Sequence, residues 1–171
     1  MVHHPKASPR CAGLALPWCG DDSRRIPTSL WERVLRLRSP PPGHTPHPSS
    51  LGEMVRWVFQ VSEALRLWCG VHVVHGDVHA GNVLLVGEGA GERAVLADVE
   101  GVRCVCGGPQ ACGSLVWCAP AWSAPEVLRG EVASPASDVY SVGVLLWFVL
   151  CREEPLAGDG AAAAVPHYLI S

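Results

Sequence analysis

The chain has 171 residues, of which 49% are hydrophobic and 17% are charged, and it carries a formal net charge of −3. This length and this apolar fraction are typical of one globular domain with a buried core, and they exclude a disordered chain. The weak negative charge gives no reason to expect nucleic acid or an anionic membrane as a partner.

Eight cysteines are scattered along the chain, and its start has no signal-peptide pattern. These features predict reduced thiols and a cytoplasmic, intracellular location. The most apolar segment, Val139–Leu150, is shorter than the roughly 20 residues that a helix needs to span a bilayer. Because this segment has no polar face, we expect a core helix in which Leu145, Leu146 and Trp147 are buried.

The first 50 residues predict a short strand, a short helix and an exposed insert. Residues 13–18 are mostly apolar and end in Pro-Trp, which favours a short strand. Ser29 is placed to cap an amphipathic helix over Leu30–Leu37. Residues 39–50 contain several prolines, which are incompatible with a helix. This segment is therefore predicted to be a loop on the surface.

A longer amphipathic helix is predicted to follow this insert. Ser49 or Ser50 can act as its N-cap, and Gly70 is a suitable residue to end it. The apolar residues between these points recur at helical spacing and define the face that we expect to be buried. They are Leu51, Met54, Val55, Val58, Val61, Leu65 and Trp68.

Polar residues between two short predicted strands are the most informative part of the chain. A strand over Val71–Val74 leads into His75-Gly76-Asp77, and Asn82 comes just before a second apolar run at Val83–Val86. Asp and Asn side chains held in this way suit phosphoryl transfer, because a carboxylate can orient an attacking hydroxyl and an amide oxygen can bind Mg²⁺. The other interpretation of the same residues is a polar turn without chemistry.

A glycine-rich turn and a further carboxylate follow. Gly87 to Gly91 have GxGxG spacing, but they connect two strands and precede no helix, so they do not predict a phosphate-binding loop. The second strand of this pair is expected at Ala94–Ala97. Asp98 directly follows that strand and comes shortly after Asn82 in the sequence, which makes it a candidate for the same site as Asp77 and Asn82.

Together these segments resemble the protein kinase superfamily. His75, Asp77 and Asn82 match the catalytic loop H-R-D-x-x-x-x-N in identity and spacing, with Gly76 in place of the Arg. Asp98 stands where kinases have the Asp of D-F-G, and residues 124–126 match A-P-E. The HGD and Asp-Val-Glu tripeptides are also similar to the aminoglycoside and choline kinases, so a small-molecule kinase remains an alternative.

The resemblance implies an α+β fold, a mainly helical protein-kinase-like C-terminal lobe with short β hairpins and with the N-terminal lobe largely absent. Asp138, at the start of the central helix, would brace the backbone of the catalytic loop. The implied order of segments is a hinge region at 1–28, helices with the proline-rich insert at 29–70, the catalytic loop and metal-binding strand pair at 71–98, the activation segment at 99–126, and the central helix and tail at 127–171.

The implied activity is transfer of the γ-phosphate of ATP, with Mg²⁺, to a Ser or Thr hydroxyl of a protein substrate. His79 stands where Ser/Thr kinases have a Lys that contacts phosphate. The implied site residues are Asp77, His75 and His79 for catalysis, Leu16, Pro17, Trp18 and Cys19 for nucleotide binding at the hinge, and Asn82 and Asp98 for nucleotide and metal binding.

Several residues depart from the family pattern. Lys6 is the only lysine of the chain and lies in no V-A-I-K-like strand, and no glycine-rich loop precedes it, so we expect this chain alone to be an inactive fragment. Ala119 replaces the Thr that hydrogen-bonds the catalytic Asp, and Glu126 has no matching Arg and would be a buried carboxylate without its partner. These departures keep a catalytically inactive pseudokinase or interaction module open as an alternative.

The four cysteines from 104 to 118 lack zinc-ribbon spacing, which favours free thiols.

Overall fold

The computed structural model describes residues 27–38, 50–99, 102–105 and 119–155. The predicted strand at 13–18, the hinge residues, nearly all of the proline-rich insert and most of the cysteine-rich segment lie outside the described residues. The helices are α1 (Leu30–Arg38), α2 (Leu51–Gly70), α3 (Pro125–Leu128) and α4 (Pro135–Cys151), with 3₁₀ turns at Ala80–Asn82, Gly89–Gly91 and Pro120–Trp122. The strands are β1 (Thr28–Ser29), β2 (Val73–Val74), β3 (Val83–Val86), β4 (Arg93–Leu96) and β5 (Arg103–Cys104).

Two small antiparallel sheets flank the loop that precedes β3. Strand β3 lies between β1 and β4, with Leu84 paired to Ser29 on one side and to Val95 on the other. Strand β2 pairs with β5, placing Val73 opposite Cys104. Helices with these short sheets form the expected α+β architecture. The β3–β4 hairpin was predicted correctly, except that β4 begins and ends one residue earlier than expected.

The helix starts follow from side-chain capping. The Ser29 hydroxyl accepts the N–H of Glu32 at 3.2 Å, as the sequence predicts. Ser50, the second of the two candidate caps, forms a capping box with Glu53, whose N–H donates to the Ser50 hydroxyl at 3.2 Å. The start of α4 has a second capping box, between Ser134 and Ser137. Each box satisfies N–H groups that a helix start leaves without partners.

Helix α2 ends at Gly70, as predicted, but the strand that follows it begins later than predicted. Gly70 is still helical, and the chain turns at His72, whose φ is +57°. The N–H groups of Val71 and His72 donate to the carbonyls of Trp68 and Cys69, both at 3.0 Å. Because these bonds tie residues 71 and 72 to the helix end, the strand begins only at Val73 and not at Val71.

The core forms where α2 packs against α4 and against β4 of the hairpin. Aromatic rings join α1 to this core, since Trp31 stacks on Phe148 with centroids 5.2 Å apart and Trp122 meets the edge of Phe148 at 5.4 Å. The fully buried side chains include Leu30, Val34, Met54, Trp57, Val61, Val83, Leu145, Phe148 and Val149. Most of the predicted apolar face of α2 is therefore inside, while Leu51 and Val55 are exposed.

Helix α4 buries one face and exposes the other. Leu145 is fully buried, as predicted, but Leu146 and Trp147 remain 36% and 43% exposed, so their predicted burial is wrong. Successive residues on a helix are rotated by about 100°, which turns positions 146 and 147 away from the face that packs on α2. Helix α4 is therefore apolar on all of its faces, but only one of these faces is buried among the described residues. Among these residues no helix is long and apolar enough to cross a membrane.

Candidate active site

The loop between β2 and β3 is anchored by a carboxylate from α4. The N–H groups of His75 and Gly76 donate to the two oxygens of Asp138, at 2.8 and 2.9 Å. This confirms the predicted brace. Gly76 has a φ of +78°, which glycine adopts without strain and an arginine at this position would not. Burial raises the pKa of the Asp138 carboxyl, although the two backbone N–H groups lower it.

His75 is fully buried directly behind the loop. Its Nε2 lies 3.2 Å from the carbonyl oxygen of Ala97, and its Nδ1 accepts the N–H of Asp77 at 3.3 Å. The ring stacks on Trp68 with centroids 5.3 Å apart. Burial lowers the pKa of His75, more than the nearby carboxylates of Asp138 and Asp77 raise it. The structure therefore places His75 as a support of the Asp77 backbone.

Asp77 lies at the open side of the loop, with its carboxylate surrounded by donors. One oxygen accepts the backbone N–H of Ala119 at 3.2 Å, and the other accepts the side-chain amide of Asn82 at 3.2 Å. His79 Nε2 lies 3.6 Å from that second oxygen. Burial favours a raised pKa for Asp77, but His79, Ala119 and Asn82 together outweigh it and lower the pKa. An ionised carboxylate held by donors can orient a hydroxyl that approaches it.

The side-chain amide of Asn82 is oriented by Asp77. Its Nδ2 donates to the backbone carbonyl of Asp77 at 3.0 Å and to the carboxylate at 3.2 Å. Because the amide nitrogen is used in this way, the amide oxygen is the atom that can bind a cation.

Asp98 is the second candidate metal ligand and comes two residues after β4. The Ala97 N–H donates to the Asn82 carbonyl at 2.8 Å, so Asp98 directly follows the residue that is bonded to Asn82 at the end of the hairpin. Asp98 is exposed and has a φ of +61°. An amide and a carboxylate oxygen are hard donors that suit Mg²⁺ shared with nucleotide phosphates. In the described part of the chain, no group of three or more His, Cys, Asp and Glu side chains is placed to hold a metal ion.

Three features of the site were missed or misjudged from the sequence. Ala119 was expected to lose the hydrogen bond of the family's Thr, yet its backbone N–H bonds Asp77 directly. Glu126 was expected to be a buried carboxylate and is instead partly exposed in α3. Gly81 was not identified, although a Cβ built there would lie 2.8 Å from Cε1 of His79. The proposed hinge contacts at 16–19 lie outside the described residues.

A buried ion pair that no motif indicates holds α1 to the hairpin. Arg33 binds both carboxylate oxygens of Glu92, with distances of 2.9 and 2.8 Å, and both residues are buried. Arg56 also donates to the Glu92 backbone carbonyl, at 3.2 Å. The only sequence signal is that Arg33 lies beside the apolar stripe of α1. This pair fixes the hairpin whose other end carries Asn82 and Asp98.

Comparison with known proteins adds the following matches. A family model for the protein kinase domain matches residues 44–168. The mouse proto-oncogene serine/threonine-protein kinase mos is 28% identical over 125 residues, which are 71% of this chain and 35% of that protein. The serine/threonine-protein kinase PknA of Mycobacterium tuberculosis is 34% identical over 119 residues, 69% of this chain and 27% of that protein. The chain thus spans about a third or less of the length of these curated relatives.

Proposed function

Because this chain belongs to the protein kinase family, we propose that it supplies the catalytic loop of an enzyme that transfers the γ-phosphate of ATP to a Ser or Thr hydroxyl of a protein. The Ser/Thr acceptor is supported by its similarity to mos and PknA, both described as serine/threonine-protein kinases. The observation that carries the proposal is the held carboxylate of Asp77 beside the amide of Asn82. A cytoplasmic location remains a prediction from the sequence.

In this proposal Asp77 orients the acceptor hydroxyl toward the phosphoryl group. Its carboxylate has a lowered pKa, so it is ionised at neutral pH and is a weak base. Phosphoryl transfer passes through a loose transition state in which positioning matters more than early proton removal. A fixed, ionised carboxylate fits that requirement, since it accepts a hydrogen bond from the hydroxyl and takes the proton late.

Asn82 and Asp98 would hold Mg²⁺ through one amide oxygen and one carboxylate oxygen. When bound, this ion neutralises charge on the nucleotide phosphates. The chain's contribution is to fix the two oxygens: the backbone carbonyl of Asp77 accepts a hydrogen bond from the Asn82 amide nitrogen, and the Ala97 N–H holds the backbone that leads into Asp98. Asp138 supports the same arrangement by holding the loop from behind.

The proposal is tested in two stages. Calorimetry on residues 1–171 should detect nucleotide binding that requires Mg²⁺ and is weakened by Asp98→Asn. Transfer is then measured on the chain preceded by the ATP-binding amino-terminal lobe of a Ser/Thr kinase, with a mixture of Ser/Thr peptides as acceptors. Asp77→Asn should lower turnover by about 10²-fold or more and leave nucleotide binding nearly unchanged.

A matched control is Glu63→Gln, which removes an exposed carboxylate that is paired with Arg66 on the surface of α2. This variant should bind and turn over like the parent. Transfer that survives Asp77→Asn unchanged would contradict the assignment of the catalytic residue. Magnesium-dependent binding without any transfer in the parent would contradict the enzyme and favour a nucleotide-binding pseudokinase.

A further inference from the structure

His79 stands where the family pattern suggests a phosphate contact, yet both of its ring nitrogens are directed into the loop. Nδ1 accepts the N–H of Gly81 at 3.1 Å, which caps the 3₁₀ turn at Ala80–Asn82. Nε2 lies 3.6 Å from an oxygen of Asp77. One ring nitrogen is thus hydrogen-bonded within the loop, and the other faces a carboxylate of the same loop.

The hydrogen bond at Nδ1 also fixes which nitrogen carries the proton. A neutral imidazole has one donor and one acceptor nitrogen, so acceptance of the Gly81 N–H places the proton on Nε2. That N–H then points toward the Asp77 carboxylate. The other oxygen of Asp77 is already held by the Ala119 N–H, so the carboxylate is fixed from two sides.

Gly81 makes this ring position possible. A Cβ at residue 81 would lie 2.8 Å from Cε1 and 2.9 Å from Nδ1 of His79, closer than real side-chain contacts. The φ of Gly81 is not in the left-handed region, so the backbone itself would accept another residue. The absence of a side chain at 81 therefore serves to leave space for the imidazole.

We propose that His79 is a positioning residue that holds the Asp77 carboxylate through Nε2–H, and that Gly81 provides the space that this orientation needs. The significance of this arrangement for catalysis rests on the proposed phosphotransferase function. The arrangement itself can be tested without any activity, so that a failure of one proposal is distinguishable from a failure of the other.

The first measurement uses the parent chain of 171 residues, labelled with ¹⁵N and ¹³C, at one slightly alkaline pH. Long-range ¹H–¹⁵N correlation spectra report the tautomer of each imidazole, and the His79 signals are identified by their loss in His79→Asn. We expect the Nε2–H tautomer with a hydrogen-bonded Nδ1. A His79 ring in the Nδ1–H tautomer would overturn the proposal.

The second measurement follows the carboxyl carbon of Asp77 and the amide of Gly81 in three variants. His79→Asn keeps an N-cap oxygen for the turn but removes the imidazole, so the Asp77 signal should shift while the Gly81 amide stays hydrogen-bonded. Gly81→Ala should displace the ring and shift the Asp77 signal as well. Gly91→Ala is the matched control, because residue 91 also lies in a 3₁₀ turn and a Cβ there meets nothing within 4 Å.

In Gly91→Ala the Asp77 signal should stay at the parent position. An Asp77 carboxyl signal that is identical in the parent, His79→Asn and Gly81→Ala would overturn the proposal. The tautomer measurement needs no substitution for its expected result, so the proposal remains testable if a variant fails to fold.

Discussion

Two buried carboxylates, Glu92 and Asp138, hold this chain together in different ways. Each bonds to a partner about 60 residues away, since Glu92 binds Arg33 at a separation of 59 and Asp138 binds His75 at a separation of 63. Both are almost completely buried, with exposed fractions of 6% and 4%. Glu92 binds a charged guanidinium, whereas Asp138 binds two neutral backbone N–H groups.

The difference in partner determines what each carboxylate controls. A guanidinium on a long side chain tolerates small movements of the backbone, so the Glu92 pair joins α1 to the β3–β4 hairpin without defining a local shape. Two consecutive backbone N–H groups converge on one carboxylate only when the loop has one particular conformation. We therefore expect loss of Glu92 to lower global stability, and loss of Asp138 to loosen the loop between β2 and β3 first.

The largest effect is expected for Glu92→Gln. This change leaves the guanidinium of Arg33 buried without the carboxylate that it binds, which typically costs about 3–5 kcal/mol of unfolding free energy. The measurement is urea denaturation of the 171-residue chain. The double variant Arg33→Met/Glu92→Leu should be less destabilised than Glu92→Gln, because apolar residues of similar size remove both charges together. A loss below about 1 kcal/mol in Glu92→Gln would show that the pair does not hold the hairpin.

A smaller loss of stability, with a local signature, is expected for Asp138→Asn. Asn has a single acceptor oxygen, so one of the two backbone N–H groups loses its partner at a cost of about 1.5–3 kcal/mol. Hydrogen exchange provides the check. The amides of His75 and Gly76 should exchange faster than the loss of global stability explains. In Glu92→Gln the exchange of the same two amides should increase only as much as the loss of global stability explains. The same exchange pattern in both variants would contradict the proposed difference between the two carboxylates.

The cluster around Asp138 should also respond to pH, because His75 is buried with a lowered pKa. Between that lowered value and the unfolded pKa of about 6.5, the unfolded chain binds more protons than the folded chain. The unfolding free energy should therefore rise with pH in this window, by at most about 1.4 kcal/mol per pH unit, and fall on acidification.

Denaturation curves at several pH values test this expectation. The variant His75→Asn should be less stable overall but should lose this part of the pH slope. Asp138 contributes with the opposite sign at lower pH, since its raised pKa makes the folded chain bind more protons just above an unfolded pKa of about 3.9. A parent curve with the same slope as His75→Asn would show that His75 is not kept neutral by burial.

The smallest effect is expected for Leu146→Ala, which tests whether the outer face of the helix that carries Asp138 matters for the loop. Leu146 is 36% exposed and lies away from α2, so the loss of stability should stay below about 1 kcal/mol. Exchange of the His75 and Gly76 amides should be unchanged. Its neighbour Leu145 is the matched control, since it is fully buried and Leu145→Ala should cost about 2–5 kcal/mol. Equal losses in the two variants would contradict the assignment of the faces of α4.

The same pair of carboxylates shows what the sequence could and could not predict. Asp138 was identified because it lies in a motif at the start of a helix, and its role follows from the family that the motif resembles. Glu92 lies in a glycine-rich turn and Arg33 in a short amphipathic helix, and nothing local connects them. Contacts between side chains 59 residues apart depend on tertiary packing, which periodicity does not encode.

Most of the other differences between the sequence-based predictions and the structure involve backbone groups. The sequence correctly predicted α1, the start of α2 and the β3–β4 hairpin, because caps and alternation are properties of neighbouring residues. It misjudged Ala119 because the donor to Asp77 is a main-chain N–H that every residue other than proline has. It predicted the end of α2 at Gly70 but not the turn that follows, because the left-handed residue there is His72 and not a glycine.

The left-handed backbone of Asp98 has a consequence for mutagenesis. Asn and Asp adopt a φ near +61° more readily than other residues with a side chain, and an alanine there is strained by about 1–2 kcal/mol. Alanine scanning at this position would therefore remove a carboxylate and distort the main chain in a single step. Asp98→Asn and Asp98→Gly separate the two effects, since both tolerate this conformation and only the asparagine retains a side-chain oxygen.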